Sequence, residues 1–166
     1  MSYLYFFSLV STIFLVQTTS LHHLAIYGIQ PDLVLVLTIY FSFKSKGDKG
    51  IIIGALLGLL QDLLSSGILG LNFFTKGFIA FLVGNLRNNI AIGNIVTQVT
   101  IIFFSALFEG FLVIVLFKIF FPQEYILKIF SGFVLYRAVY CSVIGIPLMA
   151  LFDKLEIKWL RREGLI

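Results

Sequence analysis

The sequence predicts an all-α fold, a polytopic transmembrane bundle of six helices, and three observations predict it. Of the 166 residues, 60% are hydrophobic and only 12% are charged, whereas a soluble domain carries about 25% charged residues. Six apolar runs follow one another along the chain. Most of the basic residues fall between alternate runs, as the positive-inside rule requires of a six-span protein. A water-soluble fold of this length could not hide so much apolar surface.

The first run covers residues 3–21. It lacks the Lys/Arg region that precedes a cleaved signal sequence, and more apolar runs follow, so it reads as a retained helix. The second, "PDLVLVLTIYFSF" over 31–43, starts at Pro31 or continues back to Leu24 with Pro31 as a kink. The third is the glycine-rich 50–64 and the fourth is 71–86. The fifth, 95–121, and the sixth, 126–152 with Pro147 as a bend, are long. A full crossing takes roughly 20 residues. Runs two to four are short for that, and tilted or partly re-entrant helices covered by protein are the alternative there. Residues 1–152 are therefore expected to form one transmembrane domain and 153–166 a basic cytoplasmic tail.

Charge gives the orientation. Lys44, Lys46 and Lys49 lie between runs two and three, Arg87 follows run four, and Lys154, Lys158, Arg161 and Arg162 follow run six. In a six-span chain these eight of twelve basic residues share one side with both termini, which makes that side cytoplasmic. The net charge of +4 is accounted for by such loops and gives no reason to expect nucleic acid. The tail "DKLEIKWLRREGLI" either lies along the anionic inner leaflet or is an ordinary positive-inside flank.

Lys76, Arg137, Glu109 and Asp62 fall in or near the apolar runs, where each is costly unless paired or facing protein or water. Glu109 stands thirteen residues before Pro122, and Arg137 twelve after Tyr125. At about 1.5 Å per residue, both lie roughly 18–20 Å from the loop joining helices five and six. The spacing predicts an ion pair, with Gln98 and Ser105 on Glu109's helix face. It reads as a proton or substrate path or as a clamp between helices. The clamp is favoured because one balanced pair does not make a relay, and an isolated pair should survive exchange of its two members better than loss of either.

Gly50, Gly54 and Gly58 recur at i, i+4, i+8, a ridge that lets another helix approach closely. Gly77, Ala80 and Gly84 form a second such ridge. Asp62 continues the first, while Asn72 and Lys76 are i, i+4 neighbours on the next helix. The turn "SSGILG" joins the two helices, so an Asp62–Lys76 pair with Asn72 and Ser65 nearby is expected to close the hairpin. An outward-opening ligand pocket lined by Asp62, Asn72, Lys76 and His22 is the sharper alternative. The lone Cys141 permits no disulfide within the chain and reads as a small buried residue. The adjacent His22 and His23 point apart on a helix and read as interfacial residues. No P-loop, GxSxG or HExxH pattern occurs, so no catalytic residue, metal or cofactor is expected.

Taken together, "PDLVLVLTIYFSF" and "GALLGLLQDLLSSGILGLNFF" resemble the rod shape-determining protein MreD family. The likeness lies in Pro31, Asp32 and Leu33, then in Asp62, Leu63, Ser65, Leu69, Gly70 and Asn72, and is strongest over residues 31–86. The resemblance implies a non-catalytic protein of the bacterial inner membrane. It implies a place in the elongation (Rod) complex beside MreC, with MreB, the glycosyltransferase RodA and a class B penicillin-binding protein. It also implies support of lateral peptidoglycan synthesis and a fold similar to the S components of energy-coupling factor transporters. The competing reading is such an S component, a substrate-binding subunit of a vitamin transporter. Against it, helix one lacks the small-residue patch through which S components meet their energising partner.

Overall fold

A computed structural model describes residues 3–19, 25, 28–45, 48–65, 68–87, 94–120 and 124–162. These form six α-helices, and no strand occurs among them: α1 (Tyr3–Thr19), α2 (Leu33–Lys44), α3 (Lys49–Leu64), α4 (Leu71–Leu86), α5 (Ile95–Phe120) and α6 (Glu124–Arg162). His22 and His23 lie outside the described residues.

The shortest helix holds the centre. α2 has only 12 residues, about 18 Å, and it packs on all five of the others. Every residue from Leu33 to Phe43 is buried. This explains why its run shows no polar face: a helix surrounded on all sides is apolar all round. α2 does not reach back to Leu24. Asp32 serves as N-cap, its Oδ1 accepting from the Leu35 N–H at 2.9 Å. Gln17 Oε1 on α1 accepts from the Leu33 N–H at 3.1 Å, taking a second donor that the first turn leaves free. The Asp32 N–H turns to Cys141 Sγ at 3.2 Å, so the lone cysteine is a hydrogen-bond acceptor as well as filler.

Around α2 stand two hairpins, α3 on α4 and α5 on α6, while α1 packs chiefly on α2. Glycine sets the first hairpin. A Cβ on Gly58 would lie 2.2 Å from the Asn72 carbonyl oxygen, and one on Gly54 would lie 2.5 Å from Ala80 Cβ. Gly50 backs onto Ser42 of α2, and Gly77 faces Ala55. The two ridges thus interlock with each other and with α2. Gly84 differs from the expectation: nothing lies within 4 Å of its would-be Cβ, so it packs on no neighbour.

α6 runs without a break through Pro147 and past Phe152 to Arg162. The first part of the expected tail is therefore a continuation of that helix. Lys44 at the end of α2 anchors it, with Nζ 3.0 Å from Asp153 and 2.8 Å from Glu156. Tyr40 donates to Glu156 at 2.7 Å.

The core is mostly apolar, yet it holds several charges, and the exterior is apolar as well. Asp32, Lys76 and Glu109 are among the most buried side chains, whereas Phe7, Phe74, Phe104 and Val143 are largely exposed. Within α5 and α6, Ile95–Leu116 and Gly132–Lys158 are long and apolar enough to cross a membrane. Phe6–Thr19, Leu33–Lys44 and Leu71–Leu86 are shorter apolar stretches.

Candidate functional site

The N-terminus of α2 brings four helices' charges together. Asp32 at the cap, Lys76 on α4, Glu109 on α5 and Arg137 on α6 form one alternating cluster. Lys76 Nζ lies 2.9 Å from Asp32 Oδ2 and 2.7 Å from Glu109 Oε1. Arg137 Nη2 lies 3.0 Å from Asp32 Oδ2 and 3.2 Å from Glu109 Oε2. Each acid touches both bases, and each base both acids. Two negative and two positive charges cancel, so the cluster carries no net charge into the interior, where an unpaired ion costs several kcal/mol.

Glu109 and Arg137 meet, as helix counting predicts, but each also has a second partner. Asp62 and Lys76 do not pair with each other. Asp62 instead caps α4 from across the turn. Its Oδ2 accepts the N–H groups of Gly70 at 2.9 Å and Phe73 at 3.0 Å, and its Oδ1 accepts the Asn72 N–H at 3.0 Å. The physical reason is that α4 begins with Gly70 at its N-cap, with φ 95°, and no side chain of its own caps it. The helix's first N–H groups need acceptors and its N-terminal dipole favours an anion. A carboxylate spent on three backbone donors is not available to a lysine.

Asn72 links the two systems. Its Nδ2 donates to Asp62 Oδ1 at 2.9 Å, and its Oδ1 accepts from Lys76 Nζ at 3.2 Å. Lys76 thus turns inward and has all three of its donors engaged. Gln61 completes the surround by donating from Nε2 to Asp32 at 3.3 Å, which leaves its Oε1 buried without a hydrogen-bond partner. Of the motif residues, Pro31 leads into the cap of α2, and Ser65 ends α3 by donating its N–H to the Gln61 carbonyl at 2.9 Å.

Asp32 is the functional residue whose role sequence reasoning missed. It stood only as a motif position, although its buried negative charge was the available signal. Of the alternative, a pocket lined by Asp62, Asn72, Lys76 and His22, the histidine lies outside the described residues, and the other three bond one another through Asn72 and otherwise bond neighbouring groups. A cavity does exist on the other face of the cluster, between the ends of α1 and α3 and the flanks of α5 and α6, with Asp32 and Arg137 in its wall. Among the described residues, no group of three or more His, Cys, Asp or Glu is placed to hold a metal ion.

Comparison with known proteins gives one family. The family model of the rod shape-determining protein MreD matches residues 1–157. No curated protein and no solved structure matches the chain.

Proposed function

The chain belongs to the MreD family of rod shape-determining proteins, and from that premise we propose that it is a non-catalytic scaffold spanning the bacterial inner membrane six times. Rod-shape determination is the family's role. The finer reading is that the bundle binds MreC within the elongation complex, alongside MreB, RodA and a class B penicillin-binding protein. Through them it would support lateral peptidoglycan synthesis.

The observation that carries a scaffold is the alternating cluster. Its carboxylates and its ammonium bond one another and fixed neighbours, and they tie α2, α4, α5 and α6 into one arrangement. Groups held in this way specify geometry, which a binding surface needs. The apolar exterior, with Phe7 and Phe74 each 71% exposed, suits a lipid surround. Lys44 ends α2, Lys49 begins α3 and Arg87 follows α4, so the three lie at one end of the bundle, and on the positive-inside rule that end and both termini are cytoplasmic.

Where a partner helix would pack also follows. Gly54, Gly58 and Ala80 are consumed inside the α3–α4 hairpin. Gly84 is the ridge position left open, and Phe81 at 43% exposure stands beside it. A partner's single span is proposed to approach α4 there, since small residues admit close helix contact.

A second reading, an S component of a vitamin transporter with the corresponding fold, is favoured by one observation, the cavity opposite the basic end. One purification separates the two. The tagged chain is recovered from its host's membranes in mild detergent and its companions are identified by mass spectrometry. MreC with RodA or the penicillin-binding protein is the expected result. ATPases with a transmembrane coupling subunit would overturn the scaffold in favour of the transporter.

A further inference from the structure

The cavity measures about 710 Å³, within the roughly 300–1,000 Å³ range of small-molecule sites. It lies at the end of the bundle away from Lys44, Lys49 and Arg87. The last turns of α1 and α3, residues 28–31, and the facing sides of α5 and α6 surround it. Asp32 and Arg137 give it a polar floor. Phe14, Ile29, Leu64, Val113, Phe133 and Val134 give it apolar walls.

The hydrogen-bond ledger of the floor is uneven. Asp32 is saturated, with Oδ1 taken by the Leu35 N–H and Oδ2 by Lys76, Arg137 and Gln61. Lys76 has given all three donors, and both Glu109 oxygens are taken. Arg137 is the exception. Only Nη2 is engaged, to Asp32 and Glu109, and 32% of its side chain stays exposed against no more than 1% for the other three. Its Nε and Nη1 have no acceptor among the described residues. Gln17, also in the wall, uses its Oε1 on the Leu33 N–H while its Nε2 donates to no described residue.

A cavity of this kind offers N–H donors at one end and hydrocarbon at the other, so it suits an amphiphile with acceptor oxygens in its head. The charges beneath it already cancel. A full anion would add an uncompensated charge to a balanced cluster, whereas a neutral carbonyl satisfies the spare donors without that cost. We propose that this cavity binds a neutral amphiphile whose ester or amide carbonyl accepts from Arg137 and whose apolar body lies along Phe14, Leu64 and Phe133. The inference does not depend on which partner the bundle serves.

The test is thermal unfolding of the purified full chain in mild detergent with three probes that share one acyl chain: monoolein, oleate and oleylamine. At about ten times its dissociation constant, monoolein should raise the midpoint by about 3–6 °C, with smaller shifts for the anion and the cation. Val113→Trp, which fills the cavity without touching the charges, should abolish the monoolein shift. Arg137→Lys keeps a cation opposite Asp32 and Glu109 but loses the spare donors, and should reduce the shift. Should that variant fail to fold, Val113→Trp decides alone. A monoolein shift that persists in Val113→Trp, no shift with any probe, or the largest shift with oleate would each overturn the proposal.

Discussion

The central helix α2 ends in charge at both termini, and the two ends behave differently. At its N-terminus, Asp32 joins Lys76, Glu109 and Arg137, three of the four with 1% or less of the side chain exposed. At its C-terminus, Lys44 meets Asp153 and Glu156 with exposures of 39%, 43% and 16%. The ion-pair distances are alike, between 2.7 and 3.2 Å. What differs is the alternative open to each charge when its partner is removed. A half-exposed lysine returns to water and loses about 0–1 kcal/mol. A buried charge has nowhere to go, and breaking its pair costs about 3–5 kcal/mol. Geometry alone therefore does not rank the two clusters; burial does.

The sharpest way to break this contrast is Asp32→Ala. It removes the cap of α2 and leaves Lys76 and Arg137 to share Glu109, a net buried positive charge. A loss of about 3–5 kcal/mol is expected from the charge, with about 1 kcal/mol more from the cap, read by reversible unfolding in detergent. The charge exchange Glu109→Arg with Arg137→Glu comes next. An isolated pair would tolerate it. In the four-member cluster it sets an arginine against Lys76 and a glutamate against Asp32, so the double variant should unfold at least as readily as either single alanine variant. Recovery of wild-type stability on exchange would show that only Glu109 and Arg137 matter.

Gly58→Ala tests the hairpin that delivers Asn72 to Lys76. The new Cβ meets the Asn72 carbonyl at 2.2 Å, which is backbone and cannot swing aside. A loss of about 1–3 kcal/mol is expected, whereas Gly84→Ala, in open space, should be neutral or slightly stabilising. The smallest effect belongs to the other end of α2. Lys44→Ala should cost no more than about 1 kcal/mol and should lose that difference in high salt. A cost comparable to that of Asp32→Ala would erase the distinction between the two ends.

Much of this architecture is legible in the sequence. Runs 50–64 and 71–86 correspond almost residue for residue to α3 and α4, because glycine and turn residues bracket them. Glu109 and Arg137 can be brought together by counting, because one hairpin fixes their relative depth. Asp32 cannot be placed that way. Its partners lie on three helices outside its own, and no single loop sets their registers. The Asp62–Lys76 expectation fails for a local reason that the sequence does contain. Gly70 offers α4 no capping side chain, so the nearest carboxylate is claimed by backbone N–H groups before a lysine can reach it. Residues 153–162 read as a tail because their polarity marks the end of an apolar run, and polarity does not mark the end of a helix. The cavity beside Arg137 is not legible, since five separate segments make it.

The central claim is that the charges at the N-terminus of α2 act as one buried clamp, and a double-mutant cycle between Asp32 and Lys76 tests it most directly. Asp32→Asn keeps a capping oxygen while removing the charge, and Lys76→Met keeps the apolar stem. Unfolding free energies of the wild type, both single variants and the double variant give the coupling. A coupling of about 2–3 kcal/mol is predicted, at the upper end of the range for interacting residues, with the double variant more stable than the worse single one. Costs that add to within about 0.5 kcal/mol would mean that the two residues act independently and would contradict the clamp.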